Sequence, residues 1–165
     1  MAELLAPRAS HITALDKNPE MLRIARARLQ DLPAEKIELV QGDFTGLPFG
    51  DACFDTVLFH QVLHYALEPE TVLAEAARVT KPDGRLAIVD FAAHDREELR
   101  ERHAHARLGF SEEQMLSLLS EAGFDSQPAI ALPGSQLTVK IWTARKHSGT
   151  RPKEPATAAG KARKR

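Results

Sequence analysis

The sequence predicts an α/β fold: a parallel sheet with helices on both faces, closed by an antiparallel C-terminal hairpin. Three observations predict it. Short β-branched runs alternate with amphipathic segments over residues 11–144, Gly and Pro punctuate the joins, and Pro133-Gly134-Ser135 separates the last two apolar runs.

Residues 11–15 read as the first strand, ending at Asp16. Asn18 then offers a capping oxygen, Pro19 suits the first helical position, and Met21, Leu22, Ala25, Leu29 and Leu32 fall on one helical face. Residues 37–41 form a second strand, closed by Gly42 and Asp43. Residues 56–59 form a third, an unbroken run of the kind covered on both faces, so a buried central strand is expected. Pro69 opens a helix with Val72, Leu73, Ala76 and Val79 on one side, and Pro82-Asp83-Gly84 turns the chain into a fourth strand over 85–90. Residues 95–103 have helical character. Ser111 and Gln114 then make a capping box, Phe110 staples onto Met115, Leu118, Leu119 and Ala122 complete the stripe, and Gly123 ends it. Strands over 129–132 and 137–144 bring the total to six.

With 165 residues the chain is long enough for one domain with one core, and a net charge of -1 gives no ground for a nucleic-acid-binding fold. Its apolar runs stop far short of the roughly 20 residues that span a bilayer. A single Cys53 and the lack of a basic-then-apolar leader point to a reducing, cytoplasmic setting. The charge is unevenly placed. Residues 145–165 carry eight basic side chains and one acid, Glu154, while residues 1–144 carry 14 basic and 22 acidic ones. The division is therefore a domain over 1–144 and a basic tail over 145–165, too poor in large apolar side chains to offset its ordering entropy and expected to be disordered. Such a tail either makes weak, sequence-independent contacts with nucleic acid or simply keeps the chain soluble.

Ligands of open α/β sheets bind beyond the carboxyl ends of the strands. Asp16, Asp43 and His60 with Gln61 stand there. A carboxylate at the first position can accept both hydroxyls of a ribose, and one at the next strand end can accept from an exocyclic amine, so the pair suits a nucleoside. The plainer alternative is that Asp16 and Asp43 are turn and cap residues. His60 and His64 are four apart, like two helical metal ligands, but they fall on a strand running into a loop and no third ligand follows, so no metal site is expected. His103 and His105 offer a general base beside the substrate, or else solvated polar side chains.

The segments ALDKNPEMLRIARARL, IELVQGDFTGLPFGDACFDTVLFHQVLHY and EAARVTKPDGRLAIVDF, in this order and spacing, resemble the class I S-adenosylmethionine-dependent methyltransferases. They are most similar to the branch of ubiquinone and menaquinone C-methyltransferases and to the domains fused to ArsR-type regulators. The resemblance implies a Rossmann-like sheet, S-adenosylmethionine as cofactor and a small-molecule acceptor. It implies that Asp16 holds the ribose hydroxyls, Lys17 and Met21 flank the adenine, Asp43 in Gly42-Asp43-Phe44 accepts from the adenine amine with the Phe44 backbone and ring alongside, and His60 lies beside the methionine end. The acceptor would sit under residues 94–110.

Members of that family open with a strand and a Gly-x-Gly-x-Gly loop, whereas only ten residues, none of them Gly, precede the first strand here. An N-terminally truncated sheet is expected, lacking the first strand and the glycine-rich loop. Two inner strand edges would be left unpaired, and the donor would be held weakly. The alternative function is a noncatalytic remnant that associates through those edges, as a homo-oligomer or with another chain. A nicotinamide-dependent oxidoreductase is the third reading. It lacks the Tyr and Lys four apart of short-chain reductases, since Tyr65 is followed by Pro69.

Overall fold

The computed structural model describes residues 1–148. After a single-turn helix α1 (Ala2–Leu5), β1 (Ile12–Asp16) leads into α2 (Pro19–Arg28). The Asn18 side chain accepts the Glu20 backbone N–H at 2.9 Å, and Pro19 occupies the first turn, as their positions in the sequence require. Leu22 and Leu29 are the residues of this stretch that become buried, whereas Met21 stays 49% exposed. β2 (Ile37–Gln41) runs parallel to β1, Ile12 opposite Ile37 and Asp16 opposite Gln41.

β3 (Phe54–His60), α3 (Pro69–Val79) and β4 (Thr80–Phe91) form the second half of the alternation. Val72, Leu73, Ala76 and Val79 of α3 are fully buried, so the predicted stripe is the buried one. β3 and β4 are parallel. The 82–84 turn is absorbed as an irregularity inside β4: Phe54 faces Thr80 but Thr56 faces Arg85, and Asp83 adopts φ 60°. Along β4, Leu86, Ile88 and Asp90 point to the buried side. α4 (Glu98–His103) buries no residue, whereas α5 (Glu112–Glu121) starts at the reciprocal Ser111–Gln114 capping box and ends before Gly123 at φ 86°. β5 (Phe124–Ser126), β6 (Ile130–Pro133) and β7 (Thr138–Lys146) complete the chain.

β7 is antiparallel to β4 on one side and to β5 and β6 on the other, so the expected C-terminal hairpin is present. The core lies where α3 and α5 meet the larger sheet: Phe59, Leu86, Ile88 and Trp142 from strands, Leu73, Met115 and Leu119 from helices, with Phe110 and Phe124 between them.

Four expectations need correction. There are seven strands, because β5, three residues long, pairs with the end of β7. β3 is not a buried central strand: the larger sheet runs β3-β4-β7-β5 and β1-β2 stand as a separate pair, so β3 is an edge with only Phe59 buried. Among the described residues no strand lies between β1 and β3, which leaves one edge of each unpaired, as the sequence leads one to expect. The 82–84 segment is a bulge, not a turn. Finally, β7 continues through Lys146, two residues beyond the strand expected over 137–144, and the Lys146 ammonium donates to the Ala77 and Thr80 carbonyls at 2.6 and 2.7 Å. The rest of the basic tail, 149–165, lies outside the described residues.

Residues 92–94 and 108–110 clamp the segment between them. Ala93 N–H donates to the Phe110 carbonyl and His94 N–H to that of Leu108, both at 3.0 Å. Gly109 sits at φ 75°, and a Cβ there would stand 2.2 Å from the Ala92 oxygen. Gly109→Ala is expected to destabilise the fold by about 2 kcal/mol, from left-handed strain plus displacement of the 91–93 backbone. Equilibrium denaturation measures it, and a variant as stable as the parent would contradict this close approach.

Candidate functional site

The parallel register that sets Asp16 opposite Gln41 brings four of the predicted site residues together at one strand end. Gly42 N–H donates to the Asp16 carbonyl at 3.2 Å, and the Lys17 ammonium donates to Asp43 Oδ2 at 2.9 Å. Asp16 Oδ1 accepts the Asn18 backbone N–H at 2.8 Å, leaving Oδ2 without a hydrogen-bond donor among the described residues. Asp43 Oδ1 accepts from both the backbone N–H and the hydroxyl of Thr45, at 3.0 and 2.8 Å. Both carboxylates thus do turn work with one oxygen, as the plainer reading has it, and Asp43 spends the other on Lys17. The side chain of Lys17 is 79% exposed, and an ion pair in that setting exchanges partners at little cost.

The other predicted residues are arranged differently. A Cβ on Gly42 would lie 2.9 Å from Leu15 Cδ1, the far end of a flexible side chain. Phe44 packs half-buried against the core. Met21 is exposed in the first turn of α2, and His60 is exposed at the end of β3, opposite Val89 in the other sheet. Among the described residues no hydrogen bond or ion pair joins Met21 or His60 to the Asp16–Asp43 group.

The Thr45 backbone N–H, and next the Lys17 ammonium, lower the Asp43 carboxyl from 3.8 to about 2. A depressed folded-state value makes this carboxylate stabilising above its ordinary range, and that stabilisation is lost as pH falls from about 4 through about 2. Asp43→Asn is expected to flatten the acid limb of stability in that window only. NMR titration of the Asp43 carboxyl carbon checks it; an ordinary midpoint near 3.8 would remove the Thr45 and Lys17 contacts from the account.

A second polar cluster stands at the carboxyl ends of β3 and β4. A 3-10 turn at Leu63–Tyr65 follows β3 and places His64 over the end of β4. Asp90, fully buried, accepts four hydrogen bonds: Oδ1 from His64 Nδ1 at 2.7 Å and Phe91 N–H at 2.8 Å, Oδ2 from the Leu63 and His64 N–H groups at 2.9 and 3.2 Å. The His64 ring is 2% exposed, its Nε2 buried with no hydrogen-bond partner. His60 is exposed and His64 buried, and among the described residues no group of three or more His, Cys, Asp or Glu side chains is disposed to hold a metal ion. Of the two histidines read as base candidates, His103 is exposed. His105 is buried and lies against His64, with ring centroids 4.1 Å apart. Sequence reasoning missed Asp90. Its signal was an acid closing an otherwise apolar strand, on the same side as Leu86 and Ile88.

Comparison with known proteins adds the following. Residues 1–88 match a family described as a methyltransferase domain. A demethylmenaquinone methyltransferase of Clavibacter sepedonicus is 39% identical over 88 residues, which are 53% of this chain and 35% of that protein. The chain spans about a third of the length of the curated relatives it matches. Among solved structures, a methyltransferase-like protein from Bacillus halodurans superposes with a TM-score of 0.78 at 21% identity, over 88% of this chain and 87% of that one. A Burkholderia thailandensis 1,6-didemethyltoxoflavin-N1-methyltransferase, with bound 1,6-didemethyltoxoflavin and S-adenosylhomocysteine, gives 0.62 at 26% identity, over 83% and 61%.

Proposed function

We propose, from the premise that this chain belongs to the methyltransferase-domain family, that it binds S-adenosylmethionine along Asp16 and Asp43 and serves methyl transfer to a small-molecule acceptor. The carrying observation is the pair of carboxylates at the ends of two neighbouring parallel strands, one of them with an oxygen still open. In this reading Asp16 Oδ2 accepts from the ribose hydroxyls, Lys17 and Met21 cover the adenine, and the turn Gly42-Asp43-Phe44 presents Asp43 to the adenine amine once Lys17 lets go. His60 flanks the methionine end.

The residues present fit a nucleoside, because an acceptor-only side chain at each of two strand ends matches its donors. The sulfonium supplies an activated methyl group. The protein contributes proximity and orientation for in-line displacement. Small planar acceptors are supported by the relatives described above, a demethylmenaquinone methyltransferase and a 1,6-didemethyltoxoflavin-N1-methyltransferase. The setting is expected to be cytoplasmic, and among the described residues no helix is long and apolar enough to cross a membrane.

Isothermal titration with S-adenosylhomocysteine tests the reading. Asp16→Ala is expected to weaken binding at least about tenfold, the loss of one or two charge-assisted hydrogen bonds. No heat from the parent chain, or equal affinity in the variant, would end the proposal. A second reading rests on the unpaired edges of β1 and β3, which are templates for strand addition. It has the chain associating through those edges, and a concentration-independent monomer in sedimentation velocity excludes it.

A further inference from the structure

The Asp90–His64 pair is more than a core hydrogen bond. Asp90 accepts from His64 Nδ1 in a 2.7 Å hydrogen bond, which leaves Nε2 as the uncommitted ring nitrogen, and in the neutral form of the ring that nitrogen carries a bare lone pair. That lone pair is buried and meets no donor, and burying a polar atom unpaired is costly. Nδ1 of His105, stacked against His64, is buried and unpaired as well. Two buried, unpartnered ring nitrogens thus lie side by side in a setting of flat rings. The Tyr65 centroid is 4.2 Å from that of His64, and the Phe91 ring lies 18° from parallel to that of His105.

His105 is held there by little. It follows α4, which buries no residue, through Ala104 at φ 54°. Its own N–H reaches the Leu99 carbonyl at 3.3 Å, and Arg107 fastens the next stretch to the Ala66 and Leu67 carbonyls at 3.3 and 3.0 Å. Burial, then the neighbouring His64, His103 and His94, lower the His105 pKa, with Asp90 opposing, and among the described residues no ion pair holds the ring.

We propose that Nε2 of His64 is the base that takes the proton of the methyl acceptor, and that the His105 ring stands where a flat, weakly acidic acceptor stacks. The acceptor class is a phenol, or a ring N–H of similar acidity, that must lose its proton as it gains a carbon. The balance is simple. The acceptor's O–H or N–H bond gives its pair to the methyl carbon, the methyl–sulfur bond returns its pair to sulfur, and the proton passes to Nε2. Asp90 then faces the resulting imidazolium as its positioning residue. This rests on the donor site proposed above, since parallel-sheet ligands share the carboxyl-end rim.

The test uses the whole chain and 4-nitrophenol, a flat phenol whose phenolate is coloured. With the parent protein the bound probe is expected to be more ionised than the free probe at the same pH, and imidazole 15N NMR should show His64 Nε2 gaining a proton. His64→Gln, whose amide can still donate to Asp90, should abolish both signals at a temperature where circular dichroism shows the variant folded. His105→Ala should tighten probe binding several-fold by vacating the stack. Ionisation of the probe that is unchanged in His64→Gln overturns the proposal, and so does absence of probe binding in both the parent and His105→Ala. Titration with S-adenosylhomocysteine, run in parallel, reports separately on the donor site. Probe ionisation without nucleoside binding would retain the base and discard the donor reading, and the reverse result would do the opposite.

Discussion

Asp90→Ala is expected to destabilise the protein by about 3–5 kcal/mol, the range for breaking a fully buried ionic hydrogen-bonded pair. The magnitude follows from what the carboxylate holds. Four donors converge on it, three of them backbone N–H groups of Leu63, His64 and Phe91, and each loses its acceptor in a site with no exposure to water. The 3-10 turn at Leu63–Tyr65 should loosen with it. Asp90→Asn is expected to cost less, because one oxygen remains, but its amide turns donors toward donors. Urea denaturation followed by circular dichroism gives both values. A loss under about 1 kcal/mol for the alanine variant would mean that these donors find other partners.

Trp142→Ala is the other large effect, about 3–5 kcal/mol, with Trp142→Phe costing about 1.5 kcal/mol or less. Trp142 is 1% exposed, faces Ile88 across the β4–β7 ladder and closes the core between α5 and the sheet. The Lys140 ammonium lies 5.8 Å from its ring centroid and is itself fixed to Glu112 at 2.6 Å. Removing the indole empties the largest buried volume in the core and deprives that cation of its aromatic face. Thermal and urea melts of the two variants should separate them clearly. Equal losses would show that shape at this position matters more than volume.

Much of the fold was legible where local chemistry and global packing agree. Asn18 with Pro19, the Ser111–Gln114 box, the stripe from Val72 to Val79 and the turn at 133–135 each state an element and a boundary within a few residues of sequence. β5 was not legible because Phe124-Asp125-Ser126 has no alternation to read and exists only by pairing with residues 144–146. β3 was read as central because an apolar run reveals coverage in most sheets, not strand order, and here its outer neighbour is absent. The same contrast holds at the site. Asp16 and Asp43 were found by position, but their partners were not. Lys17 reaches Asp43 across 26 residues, and His64 reaches Asp90 across the same separation, and both distances are set by register between strands. Long-range pairing of that sort leaves no trace in local spacing.

The antiparallel course of β7 also decides where the polypeptide leaves the fold. Arg145 faces Arg85 within β4, whereas Val139 faces Phe91 at its exit, so Lys146 stands toward the rim of the larger sheet opposite His60 and Asp90. Five strand residues separate Arg85 from Asp90, roughly 17 Å at about 3.3 Å each. A fluorophore attached at Ser148, or an affinity handle appended after it, is therefore anchored on the far edge. It would report on events at the rim that carries His60 and Asp90 by energy transfer, while its point of attachment stays clear of whatever binds there.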